Sequence, residues 1–97
     1  MLLPTLLAAA VVQTSAPQMH VQIRDLDFAQ PAHVALFVDR TRAASRDYCA
    51  RHIALVTPDR TGDPSLCESG MAYLAARALP AQSYARLRAS GQLRRLR

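Results

Sequence analysis

Hydrophobic and polar positions in the middle of the chain recur at helical spacing. Between Pro31 and His52, apolar and small residues gather on one side, and charged residues gather on the other. Pro31 suits the first helical position, because the backbone N–H that it lacks would have no helical partner there. The inward positions are Val34, Phe37, Val38, Thr41, Ser45, Tyr48, Cys49 and His52. This pattern predicts an amphipathic helix over residues 31–52.

A second helix is predicted beyond a turn. Residues 57–63 are rich in Pro, Gly and Asp, which is typical of a loop. Asp63 followed by Pro64 is a favourable pair for a helix cap and the first helical residue, and Pro80 ends the segment. The apolar stripe of this helix is predicted to contain Cys67, Gly70, Met71, Leu74 and Ala78. The two helices then form an antiparallel hairpin.

Ahead of the first helix, the pattern changes from helical spacing to alternation. The apolar residues Met19, Val21 and Ile23 alternate with His20, Gln22 and Arg24. Such alternation predicts a half-buried β-strand over residues 19–24. A lone strand needs a partner for its edge, and two are available: the β-prone residues 53–57, or the same strand of a second copy in a homodimer. The predicted fold is therefore mainly α, with a short strand before the helical hairpin (small α+β).

The N-terminal region has the composition of an export signal. An apolar run from Leu2 to Val12 is followed by small and polar residues, and it is too short to cross a bilayer as a helix. We interpret residues 1–16 as a signal peptide, 17–80 as a small domain and 81–97 as a basic C-terminal tail. The expected location is periplasmic or secreted. The alternative is an ordinary apolar N-terminal helix of a cytosolic domain.

The chain has two cysteines, Cys49 and Cys67, near the adjoining ends of the two predicted helices. In a short exported chain, an even number of cysteines predicts a disulfide, which would clamp the hairpin at its loop end. The alternative is a zinc site that uses both cysteines and His52. A structural zinc site needs four ligands, normally in two close pairs, and Cys67 has no such neighbour. We therefore favour the disulfide.

Asp25 and Asp27 stand two residues apart, just before the first helix. An aspartate often accepts a hydrogen bond from the backbone two positions on, as a corner between a strand and a helix requires. The alternative is a metal site, because paired carboxylate oxygens suit a hard cation. No nucleophile–base motif, phosphate-binding loop or metalloprotease motif occurs in the sequence. We therefore expect no catalytic activity and no cofactor.

Charge is distributed unevenly along the chain. Residues 17–68 carry six Arg and seven acidic residues, whereas residues 69–97 carry six Arg and no acidic residue. Five of these arginines lie beyond Pro80: Arg86, Arg88, Arg94, Arg95 and Arg97. The segment is interpreted either as a solvated tail or as a basic amphipathic segment that binds an anionic surface. No nucleic-acid partner is expected.

The sequence resembles the UrcA family of small exported bacterial proteins, which have no assigned catalytic activity. The resemblance covers roughly residues 19–79, with Ile23 and His33 as departures from the family pattern. The matching residues are Val21, Asp25, Leu26, Asp27, Pro31, Arg40, Ala44, Cys49 and Cys67. The resemblance implies a non-enzymatic envelope protein that acts as a binding or structural module. The second hypothesis is a cation-binding protein that uses Asp25 and Asp27.

Overall fold

The computed structural model describes residues 18–56 and 63–96, and within these ranges the chain is mainly helical. Three α-helices follow one another: α1 (Pro31–Val56), α2 (Pro64–Arg77) and α3 (Ala81–Ala89). A 3-10 helix, Gln92–Leu96, ends the described chain. The predicted signal peptide, residues 1–16, lies outside the described residues. No helix within the described ranges combines the length and the apolar content needed to span a membrane.

The predicted β-strand over residues 19–24 is wrong. Residues 18–23 run without regular secondary structure, and no strand occurs anywhere in the described ranges. The alternation itself is confirmed, because Met19, Val21 and Ile23 are half-buried while the residues between them are exposed. The segment therefore contacts the helices through its side chains, and not through a ladder of backbone hydrogen bonds. The strand on which the strand-paired homodimer depended is not present.

Helix α1 begins at Pro31, as predicted, and extends further than predicted. Its regular geometry is interrupted at His52, where φ is −128° and ψ is 20°, and the helix then continues to Val56. Residues 53–56 are thus helical, which corrects the alternative of a second strand over 53–57.

Helix α2 starts as the sequence predicts but is rotated relative to its predicted stripe. Asp63 caps the helix by accepting hydrogen bonds from the backbone N–H and the hydroxyl of Ser65, at 3.0 and 2.9 Å. The buried residues are Cys67, Ala72 and Ala76. The predicted inward residues Gly70, Leu74 and Ala78 are exposed instead.

The two long helices form an antiparallel hairpin with a core cluster at each end. The first cluster joins the start of α1 to the end of α2, and the second joins the end of α1 to the start of α2. The first comprises Phe28, Val34, Phe37, Val38, Ala72, Ala76, Leu79, Leu87 and Leu96. The second comprises Tyr48, Cys49 and Cys67, with Met19 and Met71 packed against it. The mainly helical fold and the hairpin are therefore confirmed.

The C-terminal segment contributes side chains to the core, which differs from the interpretation of residues 81–97 as a solvated tail. Leu87 of α3 is 0% exposed and Leu96 of the 3-10 helix is 4% exposed. Gly91 makes the turn between these two elements with a φ of 79°, a conformation that favours glycine. The apolar side chains of the segment thus turn back onto the hairpin and close its open end.

Candidate functional site

Cys49 and Cys67 form the predicted disulfide at the loop end of the hairpin. Their Cα atoms are 5.9 Å apart, and the bond closes a separation of 18 residues. Because both sulfur atoms are bonded to each other, neither is a thiolate that could bind zinc. His52 packs its ring against Tyr48, with the ring centroids 4.8 Å apart. Of the three residues of the zinc alternative, the two cysteines form a disulfide and His52 forms a ring contact with Tyr48.

Asp25 binds an arginine of α1. The Arg40 guanidinium donates one hydrogen bond to each carboxylate oxygen of Asp25, both at 2.8 Å. It also donates to the backbone carbonyl of Gln22 at 2.9 Å. The hydrogen bonds from Arg40 lower the pKa of Asp25 to about 2. Arg40 therefore fastens the N-terminal segment to the middle of α1, 15 residues along the chain.

Asp27 serves the turn that leads into α1. Its Oδ1 accepts a hydrogen bond from the backbone N–H of Ala29 at 2.9 Å, which is the bond to the second residue on that the sequence suggested. Its own backbone N–H donates to Nδ1 of His33 at 2.8 Å. The backbone N–H of Gln30 donates to the Asp27 carbonyl, also at 2.9 Å. Asp27 thus stabilises both the turn and the first turn of α1.

The two aspartates have different partners, which bears on the cation alternative. A cation at Asp25 would have to displace a guanidinium that already occupies both carboxylate oxygens. A cation at Asp27 would compete with the turn hydrogen bond. Within residues 18–56 and 63–96, no three His, Cys, Asp or Glu side chains come together as a metal-binding group. A cation that binds both carboxylate oxygens of Asp25 would therefore have to break a contact that shapes the corner.

The predicted surface-binding arginines lie in α3 and the 3-10 helix. Arg86, Arg88 and Arg94 are exposed, and within the described part of the chain they pair with no carboxylate. Arg95 is different, because it donates a hydrogen bond to Asp39 of α1 at 2.9 Å and so ties the 3-10 helix to the hairpin. Arg97 lies outside the described residues. Three of the five predicted arginines are thus presented to solvent without an acidic partner in this region.

Two arginines of α1 that the sequence did not single out as site residues lie near this segment. Arg42 and Arg46, one helical turn apart, border a polar cavity of about 110 Å³ together with Arg95. The cavity is also lined by Glu68, which supplies one opposing charge. The contact between α1 and the 3-10 helix, which brings these residues together, joins parts of the chain about fifty residues apart. Helical periodicity predicts only that Arg46 lies on an outward face of α1, and it does not indicate that the 3-10 helix lies nearby.

A larger groove on another side of the molecule is apolar. It has a volume of about 470 Å³ and lies between the N-terminal segment and α2. Its lining includes Met19, Val21, Ile23, Phe37, Met71, Leu74, Ala75, Ala78 and Leu79. No ionisable side chain except His20 lines it, so it suits apolar groups and offers no acid–base pair for catalysis.

Comparison of the chain with protein-family models, with curated proteins and with solved structures finds no match. The site is therefore interpreted from its own geometry.

Proposed function

We propose that this protein is a small, exported, non-enzymatic module that binds an anionic surface of the cell envelope through the arginines of α3 and the 3-10 helix. The observation that carries the proposal is the orientation of this segment. Leu87 and Leu96 are buried in the core, while Arg86, Arg88 and Arg94 point outward. The segment thus presents positive charge on a rigid support.

This orientation also defines the mode of binding. An amphipathic helix that inserts into a bilayer needs a free apolar face, and the buried leucines of this segment are engaged in the core. Attraction to the surface would then be electrostatic. Each basic residue near an anionic bilayer contributes about 1 kcal/mol at most, so binding is moderate and falls steeply with salt.

Export and family are parts of the same proposal. A disulfide is stable in an oxidising compartment, which supports a periplasmic or secreted location. The Asp25–Leu26–Asp27 phrase, the proline that begins α1 and the two cysteines support the likeness to the UrcA family. A family of exported proteins without assigned catalytic activity agrees with a binding module.

The test is sedimentation with lipid vesicles. The oxidised protein should sediment with phosphatidylglycerol vesicles at low salt, remain in solution with phosphatidylcholine vesicles, and dissociate as salt is raised. The variant that combines Arg86→Gln and Arg88→Gln should lower the partition coefficient, by about fivefold per arginine at most.

A matched control separates a local effect from an effect of total charge. Arg24→Gln combined with Arg51→Gln removes the same charge from exposed positions outside α3 and the 3-10 helix. The control should bind the anionic vesicles nearly as well as the parent does. Equal losses in both variants would show that only net charge matters, and equal binding to both vesicle types would overturn the proposal.

A further inference from the structure

The outer face of α2 exposes three large hydrophobic side chains. Leu66 is 68% exposed, Leu74 is 59% exposed and Tyr73 is 54% exposed. They flank Gly70 on the side of the helix that faces away from α1. Large apolar groups grouped on one exposed helix face are typical of an interaction surface, whereas single exposed ones are common. We call Leu66, Gly70, Tyr73 and Leu74 the outer face of α2.

Neither space nor backbone geometry requires the glycine at the centre of this face within the described part of one copy. A Cβ placed on Gly70 would meet no atom of the described residues within 4 Å, and its φ is not in the left-handed region. Glycine in the middle of a helix lowers helix stability relative to alanine. Small residues at a helix crossing let a second helix come close. Gly70 therefore fits a contact with another helix better than a need of the monomer.

We infer that two copies of this protein form a symmetric dimer in which the α2 helices pack antiparallel and cross at Gly70. In a two-fold symmetric pair, each residue that precedes the crossing faces the residue that follows it by the same distance. Leu66 and Leu74 lie four residues before and after Gly70, so each Leu66 would face Leu74 of the other copy. The two-fold axis would thereby bury both leucines of each copy in two equivalent Leu66–Leu74 contacts.

The charges on this face obey the same symmetry. Asp63 lies seven residues before Gly70 and Arg77 lies seven residues after it, and both are exposed. The antiparallel arrangement places each Asp63 near Arg77 of the other copy, whereas a parallel arrangement would place like charges together. This complementarity favours a second copy of the chain as the occupant, because one antiparallel arrangement pairs both aspartates and both arginines. Within one copy Asp63 also accepts from Ser65, and Arg77 lies over the ring of Tyr84 at 4.8 Å, so both side chains are already held at the surface.

The apolar groove extends the same surface. Leu74 forms part of its lining, along with Met71 and Ala78 of α2. Leu66 of the second copy, placed against Leu74, would lie at the edge of this groove. The dimer thus covers one edge of the groove with an apolar side chain, and this interface is separate from the arginines of the proposed function.

The decisive experiment changes Gly70 and measures association and stability separately. Sedimentation velocity of the full oxidised chain over a wide concentration range should show a monomer–dimer equilibrium. Gly70→Ala should raise the melting temperature of the monomer by about 4 °C through its better helix propensity. Gly70→Leu should weaken dimerisation by about tenfold or more, since a large side chain at the crossing separates the helices. Ala85→Leu, at an exposed position of α3, is the control and should leave dimerisation unchanged.

Two further variants test the geometry of the pair. Gly70→Cys should form a disulfide between copies, because the two-fold axis brings the two positions together, whereas Ala85→Cys should not. Arg77→Glu should weaken dimerisation more than Arg86→Glu, which makes the same charge change on α3. A parent that stays monomeric at all concentrations overturns the inference. A dimer that Gly70→Leu and Arg77→Glu leave intact uses another face, and it overturns the inference as well.

Discussion

The two ends of the helical hairpin are held by different forces. At the loop end, the covalent bond between Cys49 and Cys67 is accompanied by only a small cluster of side chains. At the open end, one apolar cluster contains Phe28 and side chains from α1, α2, α3 and the 3-10 helix, including Leu87 and Leu96. A chain this short buries too little surface to build a large core at both ends. The difference shows that a small protein can concentrate its apolar residues at one end of a hairpin when a disulfide stabilises the other end.

A polar stretch of α1 separates the two ends. Thr41 is 0% exposed and Ser45 is 1% exposed, and both lie between the apolar clusters. The Ser45 hydroxyl donates to the sulfur of Met19 at 3.7 Å. The Thr41 hydroxyl is buried without a hydrogen-bond partner in the described part of the chain. The hairpin therefore has two distinct centres of packing and not one continuous core.

Leu87→Ala should have the largest effect, because it removes a fully buried side chain from the end that depends on packing. We expect the free energy of unfolding to fall by about 2–5 kcal/mol. Urea denaturation followed by circular dichroism measures this change. Arg88→Ala, at the exposed neighbouring position, should change stability by less than about 0.5 kcal/mol. An equally small effect of Leu87→Ala would mean that the C-terminal segment is not part of the core in solution.

Reduction of the disulfide should lower the free energy of unfolding by about 3 kcal/mol, because the open loop regains conformational freedom in the unfolded chain. Denaturation with and without reductant measures this loss, and reductant should have no effect on a variant with Cys49→Ala and Cys67→Ala. Combined with Leu87→Ala, reduction tests the independence of the two ends. Additive losses indicate separate ends, whereas a loss that differs from the sum indicates that they are coupled.

Thr41→Val should stabilise the protein by about 1 kcal/mol, since it replaces a buried hydroxyl without a partner by a methyl group of similar size. The change would also extend the apolar cluster along α1. Thermal denaturation provides the measurement, and Ser45→Ala is the matched comparison because Ser45 has a hydrogen bond to lose. A destabilising Thr41→Val would show that the hydroxyl has a partner, such as a buried water.

The smallest effect should come from the ion pair at the surface of the open end. Hydrogen bonds from Arg40 hold the pKa of Asp25 at about 2 in the folded protein, below its ordinary value of 3.8. The pair therefore stabilises the fold above pH 3.8, and this contribution is lost as pH falls towards 2. The stability difference between the parent and Asp25→Asn should be present at neutral pH and vanish in this acidic window. Asp27→Asn should change stability little at any pH, because the amide oxygen still accepts the turn hydrogen bond.

Local signals in the sequence predicted local structure well. Pro31 and the Asp63–Pro64 pair act on the adjoining backbone, and α1 and α2 begin at the two prolines as expected, while α2 ends at Arg77, before Pro80. The disulfide was predicted as well, from an even number of cysteines in a short chain interpreted as exported, and the adjoining ends of the two helices agreed with it. These predictions needed no knowledge of contacts between distant residues.

The errors concern partners that lie far away in the chain. Alternation at residues 19–24 correctly indicated which side chains face inward, but a strand also needs a neighbouring strand, and helices lie there instead. Periodicity on α2 could not choose between two apolar sides, so Leu74 was assigned to the core. The ion pairs of Arg40 with Asp25 and of Arg95 with Asp39 depend on docking of distant segments, which spacing alone does not reveal.

The uneven distribution of charge has a consequence before any contact is made. The seven acidic residues all lie between residues 17 and 68, and the excess of six positive charges lies beyond them. In the folded protein Arg95 pairs with Asp39. The positive charge of α3 and the 3-10 helix left without a carboxylate partner in the described part of the chain is therefore that of Arg86, Arg88 and Arg94. Near a negatively charged boundary, a torque turns the molecule until α3 and the 3-10 helix lead, which raises the fraction of productive encounters. In physiological salt the electrostatic attraction extends only about 8 Å, so the protein is oriented only when it is within a few water layers of the surface.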